Sequence, residues 1–234
     1  MNFFVGTSGY SYKEWKGGFY PEKLPAKKML GYYAQKFSTV EINSTFRRFP
    51  TASTIESWAE QVPNSFRFAL KARQTITHFR RLQNAESQSD DFVNLALLLK
   101  GRQGPLLFQL PPNFKKDVQR LDAFLAYLNG RSAAVFEFRH ASWFDEEVYD
   151  CLRARACAMC TSDEEDSLVP HLVNTGSFGY LRLRAESFSD TELSTWIEKL
   201  RSQNWSEAYV FFKHEDVSSG PRLAARFGEL AEYT

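Results

Sequence analysis

The sequence predicts an α/β fold: a single-domain TIM-type (β/α)8 barrel over residues 1–234, with an irregular or shortened sixth unit. Three observations carry this reading. Eight short β-rich runs alternate with amphipathic helical stretches, which implies a parallel sheet covered by helices. A length of 234 residues falls within the roughly 200–250 residues at which barrels stay undivided. No Gly-rich dinucleotide fingerprint follows the first run, because Gly6-Thr7-Ser8-Gly9 lacks the required spacing, and this favours a barrel over an open doubly wound sheet.

In chain order the β-rich runs are 3–7, 39–43, 66–71, 106–110, 134–139, 156–161, 180–184 and 209–213. Apolar stripes at helical spacing lie between them. Met29, Leu30, Tyr33 and Phe37 form the first, and Leu121, Phe124, Leu125 and Leu128 form another. Phe144, Val148 and Leu152 repeat the pattern, as do Leu193, Ile197 and Leu200, then Leu223, Phe227 and Leu230. Ser53 with Glu56, and Ser189 with Glu192, have capping-box spacing; Pro25 and Pro221 suit first helical turns. Residues 163–176 leave room for only a short sixth helix.

Composition narrows the function classes. Apolar residues make up 43% and charged residues 24%, so the chain can bury a core and is not disordered. A formal charge of +1 gives no global field toward nucleic acid or membrane, and any electrostatic preference must be local. The first residues have no basic n-region and no long apolar stretch, which predicts a cytoplasmic protein with no membrane partner. Cys151, Cys157 and Cys160 are an odd count in a reducing-compartment pattern. Cys157 and Cys160 lie three apart in a strand-like run and point to opposite faces, which makes them structural thiols rather than a metal or redox pair.

The inner face of the barrel is the most informative part of the chain. Strands alternate between a helix-facing side and an interior side, and function gathers at their carboxyl ends. In the fifth run Phe136 and Phe138 should pack under helices, with Val135, Glu137 and Arg139 inward. In the second, Val40 and Ile42 face out while Glu41 and Asn43 face in. The seventh sets Leu181 and Leu183 against Tyr180, Arg182 and Arg184. The same phase gives Lys71, Gln109, Thr161, Asp163 and Lys213, with Thr7 and Ser8 ending the first run. Enclosing charges is costly unless they are paired or used. Two readings therefore stand side by side: an ionic plug that closes the barrel, or a ligand pocket. The segment 61–85 contains Arg67, Lys71, Arg73, His78, Arg80 and Arg81 but no acidic residue, which points to an anionic ligand at the rim.

The motifs resemble a known family. Gly6-Thr7-Ser8-Gly9-Tyr10-Ser11-Tyr12, Trp15, Phe19-Tyr20-Pro21 and Leu24 resemble the opening signature of the YecE-like family, domain of unknown function 72. Val40-Glu41-Ile42-Asn43-Ser44-Thr45-Phe46 with Pro50, and Phe68, Lys71, Thr77 and His78, match the next motifs. Gln109-Leu110-Pro111, Glu137-Phe138-Arg139-His140 with Trp143, Tyr180-Leu181-Arg182-Leu183, and Phe211-Phe212-Lys213-His214-Glu215 with Gly220-Pro221 complete them. Arg47 departs from the pattern, where relatives often carry Tyr. The resemblance implies a TIM-type barrel and no established activity.

The residues then point to an enzyme acting on an anionic, phosphorylated or carbohydrate-like small molecule by acid/base chemistry at the strand ends. Glu41, Glu137 and His140 are the catalytic candidates. Thr7, Tyr10, Asn43, Lys71, His78, Gln109, Arg139, Arg182 and Lys213 are the substrate-binding candidates. A first alternative is a metal-dependent phosphoester hydrolase or nuclease, with Glu41, Asn43, Glu137 and Asp163 as oxygen donors and His140 or His214 joining them. No short metal motif supports that alternative, so no metal ligand is assigned and the cofactor stays open. A second alternative is a non-catalytic protein that binds nucleic acid or a partner through the basic rim. Glycoside hydrolysis by two flanking carboxylates is a further enzyme reading, which their separation would decide.

Overall fold

The computed structural model describes residues 1–163, 172–213 and 219–233, excluding the side chain of Tyr233. Eight parallel strands close into a barrel in chain order: β1 (Asn2–Ser8), β2 (Thr39–Ile42), β3 (Arg67–Lys71), β4 (Gln103–Gln109), β5 (Ala134–Glu137), β6 (Ala158–Ser162), β7 (Phe178–Leu183) and β8 (Glu207–Phe212). Closure pairs β1 with β8 from Asn2 against Glu207 to Thr7 against Phe212, so no strand edge is left bare.

Seven α-helices occur among the described residues: α1 (Met29–Tyr33), α2 (Ala52–Glu60), α3 (Glu86–Leu97), α4 (Val118–Leu128), α5 (Glu146–Ala154), α6 (Asp190–Arg201) and α7 (Ser219–Tyr233). Local chemistry starts several of them. The capping box at α6 is complete: Ser189 Oγ accepts from the Glu192 amide, and the Glu192 carboxylate accepts from the Ser189 amide at 2.8 Å. At α2 the cap is Thr51, which accepts from the Thr54 amide, and not Ser53, which lies inside the helix. Two residues of shift cost nothing there, since Thr and Ser cap alike. Between β6 and β7, residues 164–171 lie outside the described set, and 172–177 contain no helix. No helix among the described residues is long and apolar enough to cross a membrane.

Strand alternation separates two layers. Phe68, Phe108, Phe136, Phe138, Leu181 and Leu183 face outward into the strand–helix core. Phe4, Ala69, Leu107, Val135, Cys160, Tyr180, Tyr209 and Phe211 face inward. Burying each large apolar side chain contributes about 1.5–3 kcal/mol. The floor of the barrel is aromatic: Phe4 stacks on Tyr209 at 4.8 Å, and Phe178 meets Tyr209 edge-on at 5.9 Å. The buried charged groups Glu41, Glu137 and Arg182 thus lie in the upper half.

Three sequence expectations change here. β4 begins at Gln103 rather than 106: Gly104 and Pro105 hide the strand start in sequence, and the register shift between Phe68 and Leu70 in the β3–β4 pairing accommodates the proline. In β6, Ala158 and Cys160 point inward, so the alternation turns buried Thr161 outward, a one-residue slip from the expected phase. Arg67 opens β3 at the opposite end of the barrel, with its guanidinium 5.7 Å from the Phe4 ring, and so does not belong to the rim. Cys157 and Cys160 are buried free thiols on opposite layers.

Candidate functional site

The upper barrel holds a buried ionic cluster built from β1, β2, β5 and β7. Arg182 sits at its centre. Its Nη2 donates to Glu41 Oε1 at 2.9 Å and its Nη1 to Glu137 Oε2 at 2.6 Å, and all three side chains are at most 2% exposed. Glu41 also accepts from Tyr180 Oη at 2.6 Å, Ser8 Oγ at 2.7 Å and Asn43 Nδ2 at 3.2 Å. Glu137 Oε1 accepts from Arg139 Nε at 2.8 Å and Arg184 Nη2 at 3.2 Å. Each carboxylate is therefore held by several donors, the condition for keeping it charged out of water.

Electrostatics follow from those contacts. Burial alone would raise both carboxyl groups. The Arg182 guanidinium reverses this at Glu41 with Tyr180 and Ser8, and at Glu137 with Arg139 and Arg184. Both therefore stand below the ordinary carboxylate range and are ionised at neutral pH.

Lys71 ends β3 at the mouth. Its Nζ donates to Gln109 Oε1 at 2.9 Å and lies 4.3 Å from the Phe46 ring centroid. Burial first, and the Arg182 charge second, push its amine down to about 8. His78 meets the same Phe46 ring edge-on at 4.9 Å, and its Nδ1 lies 2.9 Å from Thr77 Oγ1. Burial and the Lys71 and Arg139 charges push the imidazole down, so it is neutral at pH 7. A π-helical turn, Thr75–Phe79, carries it, and the chain then passes through left-handed backbone at Arg81, Leu82 and Asn84. Non-glycine residues in that region are costly and cluster where geometry is held for use.

The candidates separate into groups. Glu41, Asn43, Glu137, Arg139 and Arg182 share the cluster. Lys71, Gln109 and His78 stand beside it at the mouth, and Lys213 follows β8 in the inward phase set by Tyr209 and Phe211. Thr7 lies elsewhere: its hydroxyl is 2.9 Å from Tyr33 Oη on α1, on the outer face, because Ser8 takes the inward position. His140 is used locally, its Nδ1 accepting from the Ser142 amide to cap the short turn Ala141–Trp143. Tyr10 lines cavities beside α2. Asp163 accepts from the Arg184 and Ala185 amides, and burial pushes its carboxyl up. His214 lies outside the described residues. Among the described residues, no three His, Cys, Asp or Glu side chains gather in a way that could hold a metal ion.

Ser8, Tyr180 and Arg184 enter the cluster without having been singled out as site residues. Tyr180 in β7 and Arg184 just past its end each stand two positions from Arg182, so strict alternation was their signal. Phe46 reaches the mouth, and Trp58 the cavity beside it, from other elements, and only tertiary packing brings them there.

Fold and mouth together define a TIM-type barrel whose polar strand ends enclose a carboxylate–guanidinium cluster. Residues 4–234 match the family described as "Protein of unknown function DUF72", and the chain belongs to that family. It is 32% identical to the UPF0759 protein YecE of Escherichia coli (strain K12), with 83% of this chain and 82% of that one covered. The UPF0759 protein YunF of Bacillus subtilis (strain 168) is 25% identical, covering 90% of this chain and 78% of its own. A crystal structure of a DUF72 family protein, TM1631 from Thermotoga maritima MSB8, superposes with a TM-score of 0.85. It shares 27% identity and covers 99% of this chain and 100% of that one.

Proposed function

We propose that the barrel mouth is the active site of an enzyme for an anionic small molecule, and that Lys71 rather than either glutamate moves the proton. The observation that carries this reading is charge balance. Among the described residues, the mouth gathers Lys71, Arg139, Arg182, Arg184 and Lys213 with Glu41 and Glu137, both already engaged by Arg182, and Asp163, held by the Arg184 and Ala185 amides. A carboxyl held ionised by a guanidinium is a poor general acid, since an acid must carry its proton at working pH. An amine lowered to about 8 can hold or release one near neutrality. In this reading Arg139 and Arg184 face the substrate's anionic group, Asn43 and Gln109 orient it, and neutral His78 supplies a second polar contact.

The ionic-plug reading and the pocket reading merge here: Glu41–Arg182–Glu137 is the rigid base on which the mouth is built. The metal-dependent hydrolase has less support, because Arg182 bridges the two carboxylates that a cation would need. Titration calorimetry with inorganic phosphate at low salt tests the proposal. Millimolar or tighter binding is expected, weaker in Arg139→Gln and weaker above about pH 8 as Lys71 loses its proton. Wild-type protein indifferent to phosphate and to sugar phosphates overturns it. Binding of oligonucleotides instead, with a steep salt dependence, would favour the basic rim.

A further inference from the structure

Beside the barrel mouth lies a small cavity. The loop after β1, the end of β2 and Trp58 of α2 enclose about 240 Å3, with Tyr10, Tyr12, Asn43 and Ser44 in its lining. Complete small-molecule sites run to roughly 300–1,000 Å3, so this volume suits one ring rather than a whole substrate.

Its walls are fixed before anything binds. Tyr12 Oη donates to the Ser8 carbonyl at 2.8 Å, and Tyr12 packs on Trp15 at 4.7 Å. Gly9 makes that placement possible: it has φ +90°, and a Cβ there would lie 2.5 Å from Tyr12 Oη. The Tyr10 carbonyl accepts from Tyr20 Oη at 2.5 Å. The Trp58 ring stacks on Phe68 at 6.2 Å and 20°.

One polar group in this lining is incomplete. Asn43 Nδ2 donates to Glu41 Oε1, and because Glu41 is ionised the amide cannot flip without losing that bond. The orientation leaves Asn43 Oδ1 as a buried acceptor with no hydrogen-bond donor among the described residues. A buried oxygen left this way costs about 1–3 kcal/mol; a ligand donor would relieve it, given a small shift of the Asn43 side chain toward the cavity it lines.

We propose that this cavity is a subsite for a neutral hydroxylated ring, a sugar, whose C–H face lies against Trp58 and Tyr10 and whose hydroxyl donates to Asn43 Oδ1. Aromatic walls suit the apolar face of a pyranose. The exposed hydroxyls of Ser11 and Ser44 both donate and accept, as sugar hydroxyls do. A planar base would need its edge read by several fixed groups, and the lining supplies one. The inference goes beyond the anion reading and, Asn43 apart, stands on different side chains. Asn43 joins the two, so a substrate spanning both would be a sugar that also carries an anionic group.

Saturation-transfer NMR on the full chain tests it, with glucose, galactose, mannose and ribose as probes and adenosine as the contrasting ring. At least one free sugar should receive saturation, and Trp58→Leu should weaken it about tenfold, the scale of one lost ring contact. Ser44→Trp, at an exposed position where folding is undisturbed, should abolish it by filling the cavity. Phosphate binding should survive Trp58→Leu, which separates this site from the mouth. The proposal is overturned if no sugar binds, if adenosine alone binds, or if sugar binding is unchanged in both variants.

Discussion

Arg182 faces two buried carboxylates at once, and its removal would leave both without their principal counter-charge. Breaking one partner from a buried ion network costs about 3–5 kcal/mol. We therefore expect Arg182→Met to lose stability on that scale in urea denaturation, with Glu41→Gln and Glu137→Gln in the same chain recovering part of the loss. A variant within error of wild type would mean that solvent reaches the cluster. Lys71 makes the opposite kind of prediction. Its folded-state amine is pushed down to about 8 from the ordinary lysine value of 10.5, so between those values the unfolded chain binds more protons. Stability from this group must then rise with pH across that window, and Lys71→Met should flatten the rise. A wild-type profile that falls there instead would contradict the desolvated environment of the amine.

Elements show why some of this was legible in sequence and some was not. Period-two alternation around Phe136 and Phe138 fixed the inward set Val135, Glu137 and Arg139, because an aromatic face opposed to a charged one leaves a strand little choice of register. Where the run is short and mixed, as at 156–161, the phase slipped by one, and Thr161 faces out. Thr7 failed for a related reason. Thr and Ser adjoin at the end of β1, and only the contact with Tyr33 decides which points inward. Trp58, three elements away from Tyr12 in the chain, gives no local sign of sharing a cavity with it. At the β1–β2 contact, sequence shows only a glycine. A Cβ at Gly6 would lie 2.0 Å from the Thr39 carbonyl oxygen, so β1 and β2 close only with hydrogen there. Gly6→Ala should cost about 1–3 kcal/mol, the usual range for overpacking, read as a lower melting temperature. An unchanged melting temperature would mean the strands part freely.

At the scale of the whole molecule, the sequence charge of +1 and the cationic mouth are compatible because charges act locally. Salt at 0.1 M screens exposed charges beyond roughly 10 Å, so an anion in bulk responds to the mouth and not to the distant surface. Arg226 with Asp190, and Arg153 with Glu146 and Asp150, neutralise one another far from the site and add little to stability or to capture. A ligand that binds only the folded chain raises its melting temperature by mass action. Phosphate added at low ionic strength should therefore raise it, and sodium chloride should reduce that shift without abolishing it. The cations that matter are partly buried, with Arg184 and Arg139 side chains 11% and 24% exposed, and are screened less than a surface patch would be. Arg139→Gln with Arg184→Gln should remove most of the shift, although Glu137 loses two donors and the unliganded protein starts lower. If chloride at equal ionic strength reproduces the full effect of phosphate in wild type, the mouth senses ionic strength alone and does not select an anion.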